Sequence, residues 1–256
     1  MIDIDGLEYA HARLCARNGE RPDEADWGHL EAVRELRATL DAARDTRLRH
    51  WTTGIAPQDS AHQIEATLRG HWRGLIAEVT GWMPAEWQAS LAWCGALADL
   101  PVLQYLARGG PSLTWMRDDP VYRDVCIGEP AARAAALGTG PLAPLVPAWP
   151  DPDRFLVVWR AEWIRRLPRA TLTAAPRLQR LATVLEQHLT AFGEAAPSEG
   201  WALRRALQLR LASLFRRAVL DPAAAFVFLA LSALDVERLR GELVRRATFP
   251  RSPLAT

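Results

Sequence analysis

Residues 223–247 read AAAFVFLALSALDVERLRGELVRRA. The first half is almost wholly apolar, and the second carries a charge at nearly every other position. Three readings compete: a membrane span, a core helix, or a partner-binding segment. A bilayer needs about 20 consecutive apolar residues. The apolar run from Ala223 ends at Leu234, where Asp235 interrupts it. The segment is too short to span, and its spacing predicts a helix buried on most of its faces.

Working outward, the remaining long segments repeat helical periodicity. SAHQIEATLRGHWRGLIAEV opens with Ser60 and Gln63 at capping-box spacing, then sets Ile64, Leu68, Trp72, Leu75, Ile76 and Val79 on one face. Leu156, Trp159, Trp163 and Leu167 form a second stripe, and Leu178, Leu181, Leu185 and Leu189 a third. A fourth runs through Leu203, Leu207, Leu211 and Leu214, with Ser198 as its expected cap and Asp221-Pro222 as its stop. No run of alternating β-branched residues stands out. The expected class is all-α, a multi-helical array.

Between Gly109 and Pro152 eight prolines crowd the chain, which excludes a long helix there. This stretch reads as a Pro-rich connecting region with one or two short helices. The expected division is 1–110, 111–152 and 153–256. Gly109-Gly110 reads as a helix stop.

The 256 residues hold 31 basic and 30 acidic side chains, a formal net charge of +1. All the basic residues are Arg, whose planar guanidinium suits bidentate pairing with carboxylates. So balanced a charge argues against a dedicated nucleic-acid binder. Cys15, Cys94 and Cys126 are scattered and odd in number, which suits a reducing cytoplasm. The opening MIDIDGLEYAHARL lacks the basic-then-apolar layout of a secretory leader, so a cytoplasmic location is expected.

Chemistry-bearing constellations are scarce. Asp118, Asp119 and Asp124 superficially suggest a magnesium-binding cluster, but Pro120 breaks the turn, and a turn-forming role accounts for them better. His62 and His71 are nine positions apart on one helix, too far to share a metal at i, i+4 spacing. No phosphate-cradling loop or nucleophile motif occurs, so neither cofactor nor metal is expected. Trp72, Trp82, Trp87 and Trp93 suit either a ligand box or, more simply, a core. Arg204, Arg205, Arg216 and Arg217 flank one helix, and Arg238 and Arg245 lie on the charged half of the opening stretch. These six are the candidate interface residues for a phosphate or an acidic partner, against the plainer reading of a solvated polar face.

Two segments share a plan. MPAEWQASLAWCGALADLPVLQYLARG, residues 83–109, and DPAAAFVFLALSALDVERLRGELVRRA, residues 221–247, each open near a proline. Each runs through an apolar helix to an Asp-hydrophobic-x-x-Leu run, Asp99 to Leu103 and Asp235 to Leu239. A weak internal repeat of a helical unit is expected. With EYAHARLCA, residues 8–16, these stretches resemble the C-subunit family of bacterial and archaeal V/A-type rotary ATPases, whose eukaryotic counterpart is the d-subunit of the V-ATPase. The Asn expected before each Leu is Val102 in one copy and Arg238 in the other, and Pro101 interrupts the first. The resemblance implies a funnel-like, non-catalytic connector on the cytoplasmic face of the membrane. Its implied partners are the central shaft and the membrane rotor ring of the ATPase, and the charged half of residues 223–247 is expected to emerge at a rim or a partner surface. Two rivals stand beside it: a ligand-binding or enzymatic α-bundle using a Trp/Arg-rich pocket, and an unrelated helical adaptor.

Overall fold

The computed structural model describes residues 4–168 and 176–249, and every regular element among them is helical. Residues 1–3, read above as part of the leader question, lie outside the described residues. Two compact units form. One joins the chain's two ends, residues 1–88 and 168–256; the other is contiguous, residues 89–167. The boundaries of these units differ from the expected 110 and 153, and the Pro-rich stretch 111–152 lies within the second unit.

In chain order the helices are α1 (Ile4–Gly19), α2 (Glu24–Ala32), α3 (Leu36–Arg44), α4 (Arg49–Thr52), α5 (Ala61–Trp82), α6 (Ala85–Trp93) and α7 (Leu100–Ala107). There follow α8 (Thr114–Asp118), α9 (Arg123–Cys126), α10 (Arg133–Leu137) and α11 (Phe155–Arg166). The last three are α12 (Pro176–Glu194), α13 (Gly200–Arg217) and α14 (Ala223–Thr248).

The first unit is organised around α14, which packs on α1, α3, α5, α12 and α13. Residues Ala223 to Leu229 are all buried, because neighbours cover the helix on every side there. Burial then narrows to one stripe through Asp235, Leu239 and Leu243. The core-helix reading of the opening stretch holds. The Ser60/Gln63 capping box forms at the start of α5, with the Gln63 amide donating to Ser60 Oγ at 3.3 Å and the Ser60 amide to Gln63 Oε1 at 2.8 Å. The other stripes rotate slightly from expectation. On α12 Val184 is buried and Leu189 is exposed; on α11 Phe155 is buried and Leu156 exposed. Ser198 does not cap α13; the Glu199 carboxylate instead accepts from the Ala196 amide at 3.0 Å.

In the second unit, short helices and 3₁₀ turns wrap a core of Leu100, Leu103, Leu106, Met116, Tyr122, Leu145 and Phe155. Proline spacing limits each helix here to a few turns, but not its packing. Gly109 ends α7 at φ +84°, and the Gly110 amide returns to the Tyr105 carbonyl at 3.0 Å, the helix stop expected there. Trp93 and Trp159 exchange hydrogen bonds, each indole N–H donating to the other's backbone carbonyl at 3.0 and 3.1 Å.

The two copies of the expected repeat differ in local structure. Asp99 ends a 3₁₀ segment, Cys94–Asp99, and Pro101 lies in the first turn of α7, so the first copy breaks into three elements. The second runs unbroken through α14. A proline cannot supply the amide hydrogen a continuous helix needs.

Candidate functional site

The charged half of α14 turns inward. Asp235 is 4% exposed and accepts two hydrogen bonds from Arg21, which follows α1: from Nε at 2.7 Å and from Nη2 at 3.0 Å. Burial pushes the Asp235 carboxyl above its ordinary value, against the pull of Arg21. A shallow recess of about 20 Å³ adjoins this pair, bordered by Arg17, Glu20, His50 and Ser232 over Trp51 and Phe228. His50 keeps an exposed edge, yet the protein packed around it lowers its pKa, with Arg17 and His71 adding to the shift.

One turn from the end of α14, Arg246 is buried and closes the C-terminus of α2. Its Nη2 donates to the carbonyls of Leu30 at 3.0 Å and Val33 at 2.7 Å, and its Nη1 to the carbonyl and carboxylate of Glu242. Orphan carbonyls at a helix end need such donors. Burial opposes charge on Glu242, but hydrogen bonds from Arg246 and Arg245 outweigh it and hold the carboxyl below its usual range. Arg240 Nε reaches Glu65 on α5 at 2.8 Å.

The six candidate interface residues divide into separate settings. Arg238 lies over the Trp27 ring at 4.4 Å and reaches Glu31 at 2.6 Å, so it braces α14 against α2. Arg204 sits over Phe192 and Trp201, at 5.3 and 5.7 Å. Trp201 is 54% exposed and also lies 5.6 Å from the Arg238 guanidinium. Arg245 pairs with Glu242 at 3.1 Å and is exposed, as is Arg205. Arg216 and Arg217 face a different place, a recess of about 690 Å³ that also has Arg177 and Arg180 on its wall. Sequence reasoning missed Arg177 and Arg180. The signal for Arg177 was legible: a cation directly after Pro176, where a helix N-terminus favours anions.

Of the charged residues expected at a rim or a partner surface, Asp235 and Arg246 are buried and Arg238 and Arg240 are tied to neighbouring helices, while Glu237, Arg240 and Arg245 are exposed. The simpler reading of the Trp cluster holds: Trp72, Trp82, Trp87 and Trp93 are buried in the cores of their units, with Trp87 edge-on to Phe226 at 6.3 Å. Asp119 serves a turn, its carboxylate accepting from the Val121 amide at 2.9 Å. Among the described residues no three His, Cys, Asp or Glu side chains are grouped to hold a metal ion, and no helix is long and apolar enough to cross a membrane.

Comparison with protein-family profiles, with curated proteins and with solved structures finds no match to this chain.

Proposed function

We propose that the chain is a non-catalytic connector subunit of a V/A-type rotary ATPase, a funnel-like seat that joins the central shaft to the membrane rotor ring at its cytoplasmic face. The observation that carries this reading is the bracing of α14. At 26 residues the helix is about 39 Å long, at about 1.5 Å rise per residue. It is tied to α1 by Arg21–Asp235, to α2 by Arg246 and Arg238, and to α5 by Arg240–Glu65. Two of the three stretches that resemble the family, residues 8–16 and 223–247, lie on helices that pack together, and the Arg21–Asp235 pair ties α14 to the residue just beyond α1. A subunit that passes torque must resist bending and slippage between its helices. The buried Arg21–Asp235 pair and Arg246, with the more exposed Arg238–Glu31 and Arg240–Glu65 pairs, set on a fully buried apolar stem, supply that resistance.

The test is reconstitution in vesicles with the soluble ATP-hydrolysing head, shaft and ring, following ATP turnover and ion uptake together. Omitting this chain should leave ATP hydrolysis running while ion uptake stops. Undiminished uptake without it, or ATP hydrolysis by the purified chain alone, overturns the proposal.

A further inference from the structure

We infer that the recess between the start of α12, the end of α13 and the start of α14 is a docking site for an acidic amphipathic segment of a protein partner. This inference does not depend on the rotary-ATPase reading. The recess holds about 690 Å³, inside the range of about 300–1,000 Å³ common for ligand sites. Arg177, Arg180, Arg216 and Arg217 stand around it, and Leu214, Val219 and Val227 contribute apolar lining.

Three observations make this more than a solvated basic face. Arg177 is paired with Asp221 at 2.8 Å, whereas Arg180, Arg216 and Arg217 meet no carboxylate among the described residues. In the same unit Arg21, Arg238, Arg240 and Arg246 are each matched to an acid, whereas the unmatched Arg34, Arg37 and Arg49 are spread over the exposed surface and lie off the wall of this recess. Next, Arg177 occupies the first turn of α12, where the helix dipole repels cations. Arg216 and Arg217 at the C-terminal end of α13 complement their dipole, but Arg177 runs against its own, and an anion bound in the recess would add to what Asp221 offsets. Finally, the turn beside the recess is strained. Leu220 adopts φ +51°, a left-handed conformation unfavourable for a branched side chain, while Val219 and Leu220 stand 59% and 43% exposed. Strained backbone holding apolar side chains in solvent is a mark of functional sites.

The chemistry selects the occupant. Guanidinium forks take carboxylates in bidentate pairs, and the apolar lining takes Leu- or Val-sized side chains. A concavity accepts a protruding segment, whereas a flat anionic bilayer would meet only its rim. Acidic and apolar side chains alternating on one helix or strand satisfy both surfaces.

The probe is a fluorescein-labelled 16-residue synthetic helical peptide with Leu on one face and Glu on the others, with a Lys-for-Glu counterpart as control, titrated with the full chain by anisotropy. The Glu peptide should bind and the Lys peptide should not. Arg180→Glu/Arg216→Glu/Arg217→Glu should weaken binding about tenfold or more, because three unpaired cations become repulsive. Arg34→Glu/Arg37→Glu/Arg49→Glu changes net charge equally at exposed positions away from the recess and should leave affinity within about twofold. Should the recess triple variant lose its helical circular dichroism, Val219→Asp tests the same wall alone and should also weaken binding. Absence of Glu-peptide binding, or equal loss in both triple variants, overturns the inference. So does Arg-dependent binding to phosphatidylglycerol vesicles without peptide binding.

Discussion

In the unit built from the two chain ends, Asp235 and Leu239 lie in mid-helix, and Asp235 is gripped by Arg21, 214 positions away in sequence. In the unit built from residues 89–167, Asp99 and Leu103 straddle a 3₁₀-to-α junction, and Asp99 accepts a hydrogen bond from the Tyr122 hydroxyl at 2.6 Å, 23 positions away. Burial is the same in both: the two Asp residues are 3–4% exposed and the two Leu residues 0%. The same five-residue pattern sends an acid and a leucine into a core twice. What donates to the acid differs: the Arg21 guanidinium in one case, the Tyr122 hydroxyl in the other. Local pattern decides which residues go inside, and the fold decides what meets them there.

The two units also each bury one arginine against helix-end carbonyls. Arg246 has a carboxylate partner in Glu242. Arg133 is 5% exposed and donates to the carbonyls of Leu106 at 3.3 Å and Gly110 at 2.8 Å and to the Ser112 hydroxyl at 3.2 Å. It meets no carboxylate among the described residues, and its Nε has no partner.

The sharpest way to break this comparison is to remove the acids. Asp235→Ala strands a mostly buried Arg21 and should cost about 3 kcal/mol or more. Asp99→Ala removes the acceptor of the Tyr122 hydroxyl and should cost about 1–3 kcal/mol. Urea unfolding with amide hydrogen exchange read separately in each unit measures both, and equal losses would show that the cation and the phenol are interchangeable.

Replacing the buried arginines should produce a smaller but still unequal pair of effects. Arg246→Met removes five donated bonds and frees Glu242, for a loss of about 2–3 kcal/mol. Arg133→Met fills similar space without burying an uncompensated charge, so it should stay within about 1 kcal/mol of the parent. Thermal unfolding of the two variants side by side is enough. If Arg133→Met proves the more damaging, carbonyl contacts outweigh the missing counter-ion.

The smallest effect is a pH dependence of opposite sign in the two units. Hydrogen bonds from Arg165, with further help from Arg166, lower the Glu162 pKa from 4.5 to about 2 against a desolvation that opposes them. Its contribution is therefore fully present above pH 4.5 and lost as pH falls through about 2. Asp235, raised above 3.8 by burial, binds a proton more readily folded than unfolded, so its contribution falls as pH rises above 3.8. The parent's margin over Glu162→Gln should shrink toward pH 2. Its margin over Asp235→Asn should instead narrow on going up from pH 3.8. Parallel curves for the two pairs would remove the distinction.

Much of the local structure was legible. The Ser60/Gln63 box, the Gly109 stop, the Asp119 turn and the apolar stem of α14 follow from interactions within a few residues, which the order of side chains specifies directly. The Asp23/Asp26 capping box of α2 passed unnoticed although its acceptors were in plain view: Asp23 Oδ1 accepts from the Asp26 amide at 3.0 Å, and Asp26 Oδ2 from the Asp23 amide at 3.0 Å. Half the candidate site was legible as Arg216 and Arg217, and part of the other half as Arg177, a cation misplaced at the start of α12.

The sequence by itself determined that the chain is helical, where several helices start and stop, and which apolar stripes seek a core, because each is decided by backbone geometry and neighbours within a turn or two. Tertiary structure alone decided that residues 4–88 and 176–249 fold together, that Arg21, Arg133 and Arg246 go inside while Arg216 and Arg217 stay out, and that Asp235, Arg238, Arg240 and Arg246 tie α14 to its neighbours. An arginine's long apolar stem and charged head suit a surface or a buried cap equally well. Which it becomes depends on carboxylates and helix ends brought near by packing, as Arg21 meets Asp235 across 214 positions and Arg246 meets the end of α2 across more than 200.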